Sequence, residues 1–418
     1  MPEKPPVKQL LPVEKNGRIK YSKCGQIINR KDKDSMKKKV VVLGATGSIG
    51  QNAALELAAY SEYFEVTGLA ARSSIDELVR QANIFHPKRV ATTDPSRFAE
   101  LASKLPAGSQ ACCGEDALIE MVTDPEVDIV LCAIIGVGGI HPVLRALECG
   151  KRVALASKEV LCMAGELVMH KAKTVPGAEI IPVDSEHSGV FQCLAGRRKD
   201  EVVKLWLTAS GGPFRNWTKE QIANASLADA LKHPTWSMGA KITIDSASMM
   251  NKALELVEAR YLFDVPGEKL DAIIEPCSTV HALVELADGS TIAQLAVPDM
   301  RLPIRYALSY PERFAGKPEK FDFSALSKIE FIPVDNEKFP SLEFARHAIK
   351  AGGTMPAVMN AANEVAVERF RRGEIKFSHI WKIVSETMEQ HTAEPQSSIE
   401  QLENADKEAR IYARNIVC

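Results

Sequence analysis

Two carboxylates, Asp184 and Glu186, stand two residues apart in the run Val183-Asp184-Ser185-Glu186-His187-Ser188. Apolar Ile180, Ile181 and Val183 surround their approach, so a strand is expected there. Residues i and i+2 of a strand point to one side. Both carboxylates would then reach one small hard cation, which prefers oxygen ligands. Hydroxyls at Ser185 and Ser188 and the imidazole of His187 stand beside them. A third carboxylate lies in DSASMMNKALEL at 245–256. Asp245 or Ser246 is the expected N-cap of a helix there, with Met249, Ala253, Leu256 and Leu262 as its buried stripe. Asn251 and Glu255 share a face at i and i+4, and Lys252 is adjacent. The start of this helix offers hydroxyl, amide and ammonium groups to a phosphate. One turn on, Glu255 could complete with Asp184 and Glu186 a set that suits Mg²⁺ or Mn²⁺. The plainer alternatives are an acidic surface turn at 184–186 and a surface ion pair between Lys252 and Glu255.

Other stretches could hold a ligand. Ser210-Gly211-Gly212 follows the apolar run at 202–207 and makes either a compact anion nest or a simple turn. In His233-Pro234-Thr235-Trp236-Ser237-Met238-Gly239, Trp236 and Met238 offer an apolar cover, His233 a hydrogen bond and Gly239 close approach. This reads as a lid, with a core-packing Trp as the alternative. GATGSIG at 44–50 lies between the apolar run VVVL at 40–43 and a helix expected over 51–59. Its glycines let backbone amides approach a pyrophosphate at a helix N-terminus. The next strand, 64–70, ends at Ala70-Ala71-Arg72-Ser73-Ser74 without an acid. Arg72 and the serines suit a 2′-phosphate, which favours NADPH over NADH. Lys158, in Ser157-Lys158-Glu159, is a candidate for holding a substrate's negative charge.

Strands expected at 89–92, 128–134 and 152–155, with helices at 75–84 and 117–121, continue the alternation. Ile134 to Gly139 reads as a glycine-rich strand exit. The reading is a doubly wound, Rossmann-like domain over 37–183. A central α/β catalytic domain over 184–309 follows, with a hairpin of 279–286 and 290–297 about Asp288-Gly289 whose exposed edge could serve a dimer. Residues 310–335, with Pro311, Pro318 and Pro333, read as a linker. Helical patterns at 341–350, 356–371, 378–390 and 399–416 predict a C-terminal helical bundle over 336–418, with Met355, Met359 and Phe370 in its core. The fold class is thus α/β with a helical C-terminal part.

At 418 residues the chain exceeds one compact core. A net charge of -2 provides no field for nucleic acid or an anionic membrane, so neither is an expected partner. The 9 cysteines are scattered and odd in number, which predicts reduced thiols in the cytoplasm rather than a disulfide framework. No apolar run is long enough to span a bilayer. Residues 1–36 are lysine-rich and polar, with neither a secretory core nor a transit-peptide composition, and are expected to be a disordered extension.

Taken in order, GATGSIG at 44–50, SKE at 157–159, VDSEH at 183–187, SGGPFR at 210–215, HPTWSMG at 233–239, the stretch 245–263 and VPDMRLPIRYAL at 297–308 carry a resemblance. From about Lys37 to near its C-terminus the chain resembles the 1-deoxy-D-xylulose 5-phosphate reductoisomerase family. The resemblance implies a bacterial-type cytoplasmic homodimer that uses NADPH and Mg²⁺ or Mn²⁺ to rearrange and reduce a sugar phosphate in isoprenoid precursor synthesis. It implies Thr46, Gly47, Ser48 and Ile49 at the cofactor pyrophosphate, Arg72 and Ser73 with Ala71 near the adenosine ribose phosphate, and Ser157, Glu159 and Gly239 also at NADPH. Lys158, Ser185, Glu186, Ser210, His233, Ser246, Asn251, Lys252 and Glu255 would bind substrate, with Ser210, Ser246, Asn251 and Lys252 on its phosphate. Asp184, Glu186 and Glu255 would hold the metal, and these three with Lys158 and His233 would form the catalytic group. A retro-aldol/aldol sequence followed by hydride delivery to an aldehyde is the implied route.

The chain departs from the family pattern at Ala71, where Gly is frequent, and at Ser73 and Ser157, where Asn is frequent. Glu275-Pro276-Cys277-Ser278 stands where His-Pro-Gln-Ser is frequent, outside the metal and phosphate set. Two other readings compete. An NADPH-dependent dehydrogenase of another phosphorylated carbonyl compound would keep the nucleotide motif without needing three carboxylates. A non-catalytic NADPH-binding regulator would tolerate their loss.

Overall fold

The computed structural model describes residues 37–418 apart from 237, 316–320, 325 and 327. The extension expected over 1–36 lies outside the described residues, as does Ser237 of the expected lid. Val40, Val41, Val42 and Leu43 are all buried in β1 (Lys38–Leu43). A strand apolar on both faces must be covered on both, and parallel neighbours with crossover helices provide that cover. The other strands of this sheet are β2 (Phe64–Ala71), β3 (Arg89–Thr92), β4 (Gln110–Cys113), β5 (Ile129–Cys132), β6 (Arg152–Leu155) and β7 (Glu179–Pro182). All pair in parallel, in the order β4-β3-β2-β1-β5-β6-β7. The order reverses between β1 and β5, and the crevice above such a reversal is where α/β sheets take ligands.

Helices α1 (Ser48–Ala59), α2 (Ile75–Phe85), α3 (Phe98–Lys104), α4 (Gly114–Thr123), α5 (Ile140–Glu148) and α6 (Lys158–Thr174) alternate with these strands. The sequence reading did not place β4, α3 or α5. β4 is a half-buried edge strand without an apolar run, QACC. α5 opens with Ile140-His141-Pro142, and a proline in a first turn gives up no helical hydrogen bond. The glycine-rich exit at 134–139 is a short 3₁₀ turn, Gly136–Gly139, leading straight into α5.

The second sheet contains β8 (Val202–Ala209), β9 (Leu270–Ile274), β10 (Val280–Leu286), β11 (Thr291–Leu295) and β12 (Ile332–Pro333). Its order is β11-β10-β8-β9-β12, with only the β8/β9 pair parallel. The β10/β11 hairpin turns about Asp288-Gly289 as expected, with Gly289 at φ +85. The stretch read as a linker contributes β12 to this sheet. Its partner β9 has Ile274 and Ile273 opposite Ile332 and Pro333. Pro suits such an edge because it needs no ladder donor.

Around this sheet lie α7 (Ser185–Leu194), α8 (Lys219–Ala223), α9 (Leu227–Ala230), α10 (Ala240–Ala247) and α11 (Met250–Phe263). The chain then returns to the first sheet through α12 (Arg301–Ser309). Ile304, Ala307 and Leu308 of α12 share an apolar cluster with Val40, Val42 and Leu57. Arg305 makes a two-pronged ion pair with Glu56 of α1, at 2.6 and 3.0 Å. Last come α13 (Ser341–Ala351), α14 (Met355–Arg371), α15 (His379–Gln390) and α16 (Ile399–Asn415). Met355, Met359 and Phe370 are buried as expected. One apolar core joins β8, α11, α13, α14 and α15, so the C-terminal helices pack directly behind the second sheet's main helix.

Two local expectations were wrong. Asp184 and Glu186 do not share a strand face. β7 stops at Pro182, and Asp184 is the N-cap of α7, accepting from the backbone N–H groups of Glu186 and His187. Capping outcompetes strand extension because an Asp side chain satisfies amides that the helix start leaves free. Nor do Asp245 and Ser246 cap the next helix. They lie inside α10, and the chain breaks at Ser248-Met249 before α11 begins.

Candidate active site

Lys158 is the first residue of α6, at the C-terminal end of β6, and its side chain is 7% exposed. A buried ammonium requires paired acceptors, and two elements supply three of them. Lys158 Nζ donates to Asp184 Oδ2 at 2.9 Å, Asn251 Oδ1 at 3.0 Å and Glu255 Oε1 at 2.6 Å. Asp184 caps α7, while Asn251 and Glu255 lie one turn apart on α11. Asn251 also donates to Glu255, and Lys252 forms a close ion pair with Glu255. Glu186, in the first turn of α7, lies 3.8 Å from Lys252 Nζ and accepts from Ser185 Oγ at 2.8 Å. Lys252 and Glu255 are therefore a buried pair, not a surface one.

One carboxylate oxygen each from Asp184, Glu186 and Glu255 lies within 4.8 Å of the others. Burial pushes the Glu186 carboxyl up to about 8; Glu255 and Asp184 push the same way and the Lys252 ammonium opposes them. Burial also disfavours charge on Asp184, but Lys158 and His187 outweigh it and hold that carboxyl well below its usual range. Three hard oxygen donors, one of them disfavoured from ionising chiefly by burial, fit a divalent cation that would relieve the crowding.

His187 and Glu258 stand behind this cluster, and the sequence reading assigned neither a role. His187 is fully buried; Nδ1 lies 2.9 Å from Asp184 Oδ1 and Nε2 lies 2.9 Å from the Glu255 carbonyl. Both partners only accept, so both ring nitrogens donate and the ring is an imidazolium. Burial disfavours that charge, yet Glu258 and Asp184 lift the ring to about 9. Glu258, 1% exposed, lies 3.6 Å from Nε2. The available signal was spacing: His187 follows Asp184 by three on α7, and Glu258 follows Glu255 by three on α11.

A second polar cluster centres on His233. His233 Nδ1 accepts from the backbone N–H groups of Thr235 and Trp236 at 3.1 and 2.9 Å. The proton is thus on Nε2, which lies 3.1 Å from Ser210 Oγ and 3.0 Å from Ser246 Oγ. Burial lowers His233 to about 4, so the ring is neutral at ordinary pH. Ser210 Oγ accepts from Gly212 N–H at 3.2 Å. Gly211 and Gly212 have φ of +79 and +63, the left-handed backbone that only glycine adopts freely. Ser210, His233 and Ser246 are therefore one cluster, and α11 carries Asn251 and Lys252 from the same helix as Glu255.

The nucleotide candidates form a second group along the C-terminal edge of the parallel sheet. Gly47 is the N-cap of α1 and no side chain caps it; Gly47 and Ser48 are exposed, Thr46 and Ile49 half-buried. Gly44 and Gly50 make the turn possible. A Cβ on Gly50 would lie 2.3 Å from the Gly44 carbonyl oxygen, and one on Gly44 would lie 2.4 Å from that of Ala133. Ala71 is buried at the end of β2, with Arg72 and Ser73 exposed beyond it. Ser157 is buried and donates to the Ile134 carbonyl across the β5 exit. Glu159 is buried and paired with Lys241 of α10 at 3.0 Å. Ser157 and Glu159 flank Lys158, which joins the two groups. Gly239 precedes α10, where a Cβ would meet no atom of the described residues within 4 Å.

Family models match along the chain. One for 1-deoxy-D-xylulose 5-phosphate reductoisomerase covers residues 40–165, one for the C-terminal domain of that enzyme covers 180–263, and a DXP reductoisomerase C-terminal domain covers 295–412. The 1-deoxy-D-xylulose 5-phosphate reductoisomerase of Thermodesulfovibrio yellowstonii is 46% identical over 377 residues, 90% of this chain and 98% of that one. The chain belongs to the 1-deoxy-D-xylulose 5-phosphate reductoisomerase family. The crystal structure of the Zymomonas mobilis reductoisomerase in complex with NADPH superposes with a TM-score of 0.86 at 41% identity, covering 91% of this chain and 98% of that one. A reductoisomerase structure in complex with NADPH, fosmidomycin and magnesium gives a TM-score of 0.83 at 38% identity, covering 90% and 97%. Glu275, the departure from the family pattern, is buried and its carboxylate accepts from the backbone N–H groups of Cys277, Thr279 and Val280. It holds the turn between β9 and β10.

Proposed function

We propose that this chain converts 1-deoxy-D-xylulose 5-phosphate to 2-C-methyl-D-erythritol 4-phosphate, with NADPH as reductant and Mg²⁺ or Mn²⁺ as metal, in isoprenoid precursor synthesis. The observation that carries this reading is the convergence of Asp184, Glu186 and Glu255 on one another, with two of them held by Lys158, whose chain neighbours belong to the nucleotide edge. Asp184, Glu186 and Glu255 would hold the metal, which would supply Lewis-acid polarisation of the substrate's oxygens. Lys158 bridges the Asp184 and Glu255 carboxylates and presents its ammonium to substrate oxygens. Ser210, Ser246, Asn251 and Lys252 bind the phosphate, and the neutral His233 aligns the two serine hydroxyls through its Nε2–H. Held remote from the reacting carbons, the phosphate fixes their position through the rearrangement. Ser185 and Glu186 address the sugar hydroxyls.

On the cofactor side, Thr46, Gly47, Ser48 and Ile49 receive the pyrophosphate at the uncapped start of α1. Ala71, Arg72 and Ser73 border the ribose phosphate, and Ser157, Glu159 and Gly239 line the approach of the nicotinamide, which when bound would supply the hydride for the reduction. Trp236 and Met238 close over the substrate. The active form is a homodimer in the cytoplasm. The exposed edge strand β11 and the eight unpaired cysteines among the described residues support these two readings. Among the described residues no helix is long and apolar enough to cross a membrane.

The test follows NADPH absorbance with purified protein, 1-deoxy-D-xylulose 5-phosphate and either metal, with and without chelator. Oxidation that requires both substrate and metal, with the branched product identified, is expected. No oxidation by folded, NADPH-binding protein with either metal would overturn the reading. Light scattering on the eluting protein checks the dimer.

A further inference from the structure

α10 ends at Ala247 and α11 starts at Met250, so Ser248 and Met249 make the turn between them. Met249 has φ +63, a left-handed conformation that a non-glycine residue keeps only where its surroundings hold it. The turn is interior: Ser248 is 0% exposed and Met249 2%. Two sides fix it. On one, the Ser248 carbonyl accepts from Ser341 Oγ–H at 2.7 Å and from Trp381 Nε1–H at 3.2 Å. Trp381 Nε1 also lies 2.9 Å from Ser341 Oγ, so the three groups close on one another. Ser341 is the fully buried first residue of α13. Trp381, on α15, stands edge-on to Phe339 and Phe377, which fixes its indole.

On the other side is the loop that follows β8. A Cβ on Gly212 would lie 2.6 Å from the Ser246 carbonyl oxygen and 3.1 Å from the Ala247 Cα. Loop and turn are therefore in backbone contact, with no side chain to absorb a shift. Ser246 precedes the turn by two residues, and Asn251 and Lys252 follow Met249 by two and three. A displacement of Ser248-Met249 moves all three of these groups, and the Gly211-Gly212 loop with them.

We propose that Ser341 and Trp381 of the C-terminal helices are positioning residues for the substrate's phosphate. They pin the α10–α11 turn and thereby set the spacing among Ser210, Ser246, Asn251 and Lys252. The inference rests on the phosphate assignment above. Ser341 and Trp381 hydrogen-bond none of those four residues; they act through one backbone carbonyl.

S341A and W381F each remove one donor and keep most of the side-chain volume. With either variant the KM for 1-deoxy-D-xylulose 5-phosphate and the inhibition constant of inorganic phosphate rise together, by about 5–20-fold. The kcat stays within about twofold and the Kd for NADPH is unchanged, while S341T, which keeps a hydroxyl, returns toward the parent protein. A lower Tm with unchanged KM and phosphate inhibition would show a purely structural role and overturn the proposal. So would an equal rise in the Kd for NADPH, which means general loosening. If W381F does not fold, S341A decides alone. A parent protein that does not turn over the substrate defeats the function itself, whereas an active parent with indifferent variants defeats only this inference.

Discussion

Under the proposed assignment, the β1–α1 turn and the carboxylate centre would solve the same problem, holding a charged ligand, by opposite means. The turn is contiguous, GATGSIG, and its exposed residues Gly47 and Ser48 present backbone to solvent. Its requirement is steric, since Gly44 and Gly50 permit main chain to touch main chain. The centre draws Lys158, Asp184, Glu186 and Glu255 from three helices and buries them. Its requirement is electrostatic, because each buried charge needs a partner of opposite sign or a shared proton. Damage to the turn should therefore be local and confined to the nucleotide. Damage to the centre should propagate through every group that shares its charge.

The largest expected effect breaks the centre. E255Q removes a charge shared by Lys158 and Lys252, and should lower kcat/KM by about 10²–10³ while leaving the Kd for NADPH unchanged. Steady-state kinetics and nucleotide binding by fluorescence check this, and a parallel loss of nucleotide affinity would erase the contrast. Next, H187N takes away the imidazolium behind Asp184 and should weaken Mg²⁺ activation by about 10–100-fold, read as the metal concentration giving half-maximal rate. G50A attacks the turn instead. Its Cβ meets the Gly44 carbonyl, so the Kd for NADPH should rise about 10-fold with half-saturating metal unmoved.

The smallest effect concerns stability alone. His281 is 4% exposed, its Nδ1 has no hydrogen-bond partner among the described residues, and burial lowers it to about 4. The unfolded ring takes up a proton near 6.5, before the folded one does. Stability is therefore full above pH 6.5 and falls as pH drops from there to about 4, by about 3 kcal/mol for this residue. H281Q should flatten that part of the profile, measured as urea midpoints between pH 7 and 4.5. An unchanged slope would assign the acid sensitivity to other groups.

The same comparison explains what could be read in advance. VVVL followed by GATGSIG is a local pattern, and the structure has the strand, turn and helix in that order because each is dictated by its own residues. Asp184 and Glu186 were legible as a pair, but their geometry was read as a strand. The capping bonds from Asp184 to the Glu186 and His187 amides decided otherwise. The edge strand β4 and the break at Ser248-Met249 carry no periodic signal, since one is short and half-buried and the other is imposed by neighbours.

By itself, the sequence determined most of the alternating strands and helices of the parallel sheet, the hairpin, the C-terminal helices and the close pairing of the acids Asp184 and Glu186 along the chain. These follow from runs, turns and spacings within about 20 residues, where chain geometry alone places side chains. Only the tertiary structure brought Glu255 to Asp184 and Lys158, turned His187 into a buried imidazolium, and set Ser341 and Trp381 on the Ser248 carbonyl. Those contacts join residues from about 70 to 130 apart, and their energies exist only once burial has removed the water that would otherwise screen them.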